Sequence, residues 1–193
     1  MAKWDTIALN DKNVKCLRRN EKGDSSIENH DRSKLKLTVK LFLYPDASDQ
    51  SDEYKQQIAA ESINALANSL NLNQIDNLIL SIQTDDMDQA LSELKSFWTI
   101  YETFVSNEKI RQLGTSDLNF TQLSDLHGWA KRIKPSSTQI NLHTCCDIPA
   151  DLSAFAKENS IQLLTHNDPV GKCLITIVHL LYKNMMNFFV SKR

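Results

Sequence analysis

Lys109-Ile110-Arg111-Gln112-Leu113-Gly114-Thr115-Ser116-Asp117-Leu118 opens the stretch that decides the fold. It is a short apolar run ending in a glycine and a polar turn, which predicts a strand. Behind it, apolar residues at 120, 123, 126, 129–130 and 133 recur at the spacing of a helix with one buried face. Gln139-Ile140-Asn141-Leu142-His143 reads as a second strand, 149–159 as a second helix and Ile161-Gln162-Leu163-Leu164-Thr165 as a third strand. Strands alternating with helices over short connections predict a parallel sheet, or a barrel with helices outside. Ligands of such folds gather at the carboxyl ends of the strands. Those ends carry Thr115-Ser116-Asp117, His143-Thr144-Cys145-Cys146 and His166-Asn167-Asp168.

The pattern extends upstream. Residues 35–44 alternate strictly, with Leu35, Leu37, Val39, Leu41 and Leu43 on one face and Lys36, Thr38, Lys40 and Phe42 on the other. This predicts a strand, closed by Pro45-Asp46. Residues 52–70 predict a helix. Residues 75–82 are continuously apolar enough for a strand buried on both faces. Residues 86–105 predict a long helix whose Trp98 and Tyr101 pack against the sheet. Asn119 with Gln122 three residues on has the form of a capping box, and Pro149 suits a helix start. Leu113, Leu142 and Leu163 are expected in the core.

Residues 1–34 are polar and poorly periodic, with short strands possible at 4–9 and 14–17 and a charged linker at 21–33. Residues 170–193 form an apolar tail interrupted by Lys183, Asn184 and Asn187. A membrane helix needs about 20 mostly apolar residues, so the tail reads as a helix packed on the domain instead. The chain thus divides into a polar segment (1–34), a β/α domain (35–169) and a divergent tail (170–193). A closed eight-fold barrel takes about 250 residues, so with 193 residues any barrel here is expected to be incomplete or truncated at its C-terminus.

Composition narrows the function. Lys and Arg number 22 against 24 Asp and Glu, a net charge of −2, which leaves no basic surplus for nucleic acid. The N-terminus lacks the apolar core of a signal peptide, which makes a cytoplasmic protein the default. Four cysteines at irregular spacing make no disulfide framework. No GxGxxG or GxxxxGK[ST] phosphate loop occurs. His143, Cys145 and Cys146 find no second cluster that would complete a zinc site.

Residues 108–117 resemble the GKIRxIGxSN segment of aldo-keto reductases. Asp76-Asn77-Leu78-Ile79-Leu80-Ser81 and Leu37-Thr38-Val39-Lys40-Leu41-Phe42 resemble two further strands of that family. A closer resemblance is to the regulatory (modifier) subunits of glutamate–cysteine ligase, a family built on the same barrel. It rests on Gly114-Thr115-Ser116-Asp117-Leu118, on Gln139-Ile140-Asn141-Leu142 with Cys145-Cys146, and on Ala154-Phe155-Ala156-Lys157 running on to Pro169.

The resemblance implies an aldo-keto-reductase-type TIM-barrel fold and lets the reductase tetrad of Asp, Tyr, Lys and His be sought by position. There the Tyr gives a proton to the substrate carbonyl and the Lys lowers the Tyr pKa. Lys40 matches the Lys, but Ser81 stands at the His position, and residues 1–34 contain no tyrosine. Both are read as vestigial. Ser116 and Gln139 match positions that hold the nicotinamide carboxamide, Asp117 replaces an Asn there, and His166 falls where an aromatic ring stacks. They are vestigial cofactor-side candidates, and no cofactor is expected. The adjacent Cys145 and Cys146 are implied to form a redox-sensitive contact with a partner.

The function implied is that of a regulatory subunit without catalysis of its own. It would form a heterodimer with the glutamate–cysteine ligase catalytic subunit in glutathione biosynthesis and modulate glutamate use and glutathione feedback inhibition, with no nucleic acid or membrane involved. The alternative is an NADP(H)-dependent oxidoreductase of the aldo-keto class.

Overall fold

The computed structural model describes residues 3–8, 15–20, 36–43, 51–70, 72–84, 86–142, 148–166 and 187–192. Strands β1 (Lys3–Ala8) and β2 (Lys15–Asn20) pair as an antiparallel hairpin. The main unit then runs β3 (Leu37–Leu43), α1 (Asp52–Leu70), β4 (Ile75–Ile82), α2 (Met87–Ser106), β5 (Ile110–Ser116), α3 (Phe120–Trp129), β6 (Ser137–Asn141), α4 (Ala150–Glu158), β7 (Gln162–His166) and β8 (Asn187–Lys192).

The sheet order is β7-β6-β5-β4-β3-β8. Strands β3 to β7 are parallel, and each joins beside its predecessor in chain order. A doubly wound sheet would reverse direction at a switch point. Continuous addition in one direction is how a β/α barrel is built.

One face of the sheet carries the core. Val39, Leu41, Leu78, Leu80, Leu113 and Ile140 pack with Ile63 and Leu66 of α1, Leu94, Trp98 and Tyr101 of α2, Leu123 and Leu126 of α3, and Leu152 and Ala156 of α4. Trp98 and Tyr101 are fully buried, as their helical spacing predicts. The Tyr101 hydroxyl lies 3.0 Å from Ser62 Oγ, and burial pushes its pKa well up. The other face is also buried but largely polar, with Phe42 and Ile79 set among its polar side chains. Lys40, Asn77, Ser81, Ser116 and Ser137 are each 5% exposed or less. The alternation seen in β3 therefore separates an apolar face from a buried, largely polar one, not from solvent.

Three expectations are corrected. Helix α3 stops at Trp129, with Ala130 as C-cap, short of the Ile133 that the apolar spacing suggested. Residues 187–192 of the tail are a strand, antiparallel to β3, where the apolar run suggested a helix. Leu113 is fully buried, but Leu142 and Leu163 are only half-buried. The capping box is present: Gln122 N–H donates to Asn119 Oδ1 at 2.9 Å, and Asn119 N–H donates to Gln122 Oε1 at 3.1 Å. No helix among the described residues is long and apolar enough to cross a membrane.

Candidate functional site

Parallel register brings the carboxyl ends of β3, β5, β6 and β7 together. Ser116 pairs in register with Gln139, Asn141 with His166 and Phe42 with Ser81. Just past β5 the backbone turns through the left-handed region at Asp117, with φ of 62°. This conformation costs Asp less than most residues. It is held by Asp117 N–H donating to the Gln139 carbonyl at 2.8 Å.

The turn aims the Asp117 carboxylate at three other strands or strand ends. Ser116 Oγ donates to Oδ2 at 2.7 Å, and Asn141 N–H donates to Oδ1 at 3.1 Å. His166 Nε2 lies 2.9 Å from Oδ1, and Lys40 Nζ lies 4.0 Å from Oδ2. Nε2 is also 3.4 Å from Ser116 Oγ and 3.5 Å from Lys40 Nζ. The short contact to a carboxylate places the proton on Nε2. Lys40 is 5% exposed, and its ammonium also sits 4.8 Å from the Phe42 ring centroid. A buried ammonium is costly unless a counter-charge is near. Asp117 supplies that charge, which gives its replacement of an amide a physical reason.

Burial raises the Asp117 carboxyl. Hydrogen bonds from His166 and Ser116 and the charges of His166 and Lys40 together outweigh this and hold it below its ordinary value. A lowered carboxyl stabilises the fold above the unfolded-state pKa, near pH 4, and that stability is lost as pH falls through the folded value. Asp117→Asn is therefore expected to flatten the acid limb of melting temperature against pH, below about pH 4. Superimposable acid limbs for the two proteins would count against the cluster.

The geometry limits the chemistry. A serine-nucleophile relay needs serine on one ring nitrogen and carboxylate on the other. Here Ser116 and Asp117 both meet Nε2 of His166, and the serine proton goes to Asp117. As folded, Ser116, Asp117 and His166 bond to one another, with the Nε2 edge of the His166 ring turned to the carboxylate. Gln139 differs, because its Oε1 is buried without a hydrogen-bond partner among the described residues. Ser81 lies apart from the Asp117 bonds and accepts from Gln83 Nε2 at 2.8 Å. The described tyrosines, Tyr54 and Tyr101, stand on helices α1 and α2, not at strand ends. Cys145, Cys146 and His143 lie outside the described residues. Among the described residues no group of three or more His, Cys, Asp or Glu could hold a metal ion. The sequence picked out the members of the cluster, but not the Asn141 backbone donor, and no sequence signal marks it.

Parallel strands added in one direction, with polar groups gathered at their carboxyl ends, define a scaffold of the β/α-barrel class. The sequence model of the aldo/keto reductase family matches residues 15–186, and the chain belongs to that family. It is also similar to the glutamate–cysteine ligase regulatory subunit of Homo sapiens, 38% identical over 141 residues, covering 72% of this chain and 48% of that protein. The regulatory subunit of Bos taurus matches at the same identity and coverage. The chain thus spans about half the length of these curated relatives. Among solved structures, it resembles an aldo-keto reductase enzyme from a Medee basin deep-sea metagenome library. That match has a TM-score of 0.52 and 28% identity, covering 70% of this chain and 44% of that one.

Proposed function

We propose that this protein is a regulatory subunit without catalysis of its own, which binds the catalytic subunit of glutamate–cysteine ligase as a heterodimer. In this reading it improves the ligase's use of glutamate and weakens feedback inhibition by glutathione. The observation that carries it is the 38% identity to proteins named as regulatory subunits of that ligase. The carboxyl-end cluster supports the non-catalytic part. Lys40 lies beside Asp117 and His166, and Ser116 donates to Asp117. Regulation then has a plain thermodynamic form. A subunit that binds the active conformation of its partner more tightly shifts the population toward it, and any ligand favouring that conformation tightens the complex in return.

The second reading, an NADP(H)-dependent oxidoreductase, draws on the family match and on the Gln139 Oε1, which has no hydrogen-bond partner among the described residues. Co-expression with the ligase catalytic subunit, followed by size-exclusion chromatography and an NADPH–aldehyde assay, separates the two. The expected result is one co-eluting complex and no NADPH oxidation. A chain that elutes alone and oxidises NADPH, with the activity abolished by Lys40→Met, would overturn the proposal.

A further inference from the structure

At the opposite end of the sheet from Asp117, the connection from α3 to β6 presents Trp129-Ala130-Lys131-Arg132-Ile133-Lys134. Trp129 is 38% exposed, one of two large exposed apolar side chains among the described residues. Lys131, Arg132 and Lys134 are exposed. Residues 126–136 contain no Asp or Glu, although the whole chain carries a net charge of −2.

The segment is fixed from beneath. Trp98 Nε1 donates to the Ile133 carbonyl at 2.9 Å, and Ile133 N–H donates to Glu102 Oε1 at 3.0 Å. Both of these α2 residues are buried, at 0% and 5% exposure. The cations are also anchored. Lys131 Nζ donates to the Gly128 carbonyl at 2.7 Å and Lys134 Nζ to the His127 carbonyl, so both satisfy last-turn carbonyls of α3. Arg132 donates to Ser106 Oγ at 3.1 Å. Lys95 lies 5.7 Å from the Trp129 ring centroid and pairs with Asp125 at 2.6 Å. Asp125 and Glu102 are thus already engaged.

We infer that this Trp129–Lys134 surface docks an acidic segment of the protein's partner, an inference that rests on the regulatory-subunit reading above. Exposed Trp and Arg are the side chains that most often dominate interfaces. Anchoring cations and backbone before binding lowers the ordering cost of association. A net-basic patch on a weakly acidic chain selects a partner of opposite charge and speeds encounter, in a salt-sensitive way.

The test measures binding of the full chain to the ligase catalytic subunit at two salt concentrations. The variants are Trp129→Ala, the double reversal Lys131→Glu/Arg132→Glu, and, as control, Lys157→Glu at an exposed position of α4, each checked for an unchanged melting temperature. The expected result is a loss of affinity of about tenfold or more for the first two, a flatter salt dependence for the reversal, and no change for the control. If the wild type binds and both surface variants bind as well with the same salt dependence, the surface is wrong while the regulatory reading stands. If the wild type does not bind, the regulatory reading fails and takes the surface with it. If the reversal dissolves a self-associated dimer and leaves partner affinity intact, the surface belongs to a second copy and the inference is overturned.

Discussion

Trp98→Ala is expected to cost about 3–5 kcal/mol, and to lower the melting temperature by on the order of 10 °C in a chain of this size. Two losses combine. The indole is fully buried between α2 and the sheet, so its removal leaves a cavity lined by core residues that relax only in part. Its Nε1–H also holds the Ile133 carbonyl at 2.9 Å, and a polar group left without its partner adds a desolvation cost. Trp98→Phe goes far toward separating the terms, because it keeps most of the volume while it removes the donor along with part of the ring. It should cost about 1–3 kcal/mol. Equal melting temperatures for wild type and Trp98→Ala would show that α2 does not pack as described.

Gly114→Ala is the second large effect. A Cβ at this position of β5 would stand 2.2 Å from Ser137 Oγ, 2.9 Å from the Ser137 carbonyl oxygen and 3.3 Å from Ile79 Cγ1. Ser137 Oγ cannot swing away freely, since it accepts from Asn77 Nδ2 at 2.9 Å. The carbonyl oxygen moves only if β6 moves. Overpacking of this kind costs about 1–3 kcal/mol or more, and it pushes on the strand that sets Gln139 beside Ser116. The expected drop in melting temperature is on the order of 5 °C. An alanine variant as stable as the wild type would contradict the close approach of β5 and β6.

The strands were legible where their chemistry is local. The alternation of β3 and the apolar Leu78-Ile79-Leu80 run of β4 each mark a strand without reference to the rest of the chain. Helix α3 was legible at its start, because Asn119 and Gln122 form a local reciprocal cap. Its end was not. Ala130 and Ile133 continue the apolar spacing, but the Ile133 backbone is taken by Trp98 and Glu102, contacts more than 30 residues away in sequence. Leu163 has the look of a core residue because its run is apolar, yet β7 is the edge strand of the sheet among the described residues and leaves it half-buried. Composition alone suggests a helix for the tail. At Asn187–Lys192 an antiparallel place beside β3 prevails, and it pairs an edge that would otherwise stand open.

The candidate site was legible as a set of strand-end residues and illegible as a network. Ser116, Asp117, Gln139 and His166 could be chosen because the strands end there. That His166 reaches Asp117 across an intervening strand follows only from the register of β5, β6 and β7. The consequence is substantial, since it ties the imidazole and the Lys40 ammonium to one carboxylate.

The central claim is regulation without catalysis. Its most direct test is the rate of the ligase catalytic subunit, alone and with a saturating amount of this protein, across a range of glutamate concentrations and again across a range of glutathione. The account predicts a lower KM for glutamate and a higher glutathione concentration for half-inhibition when the protein is present. Superimposable curves with and without it would contradict the account.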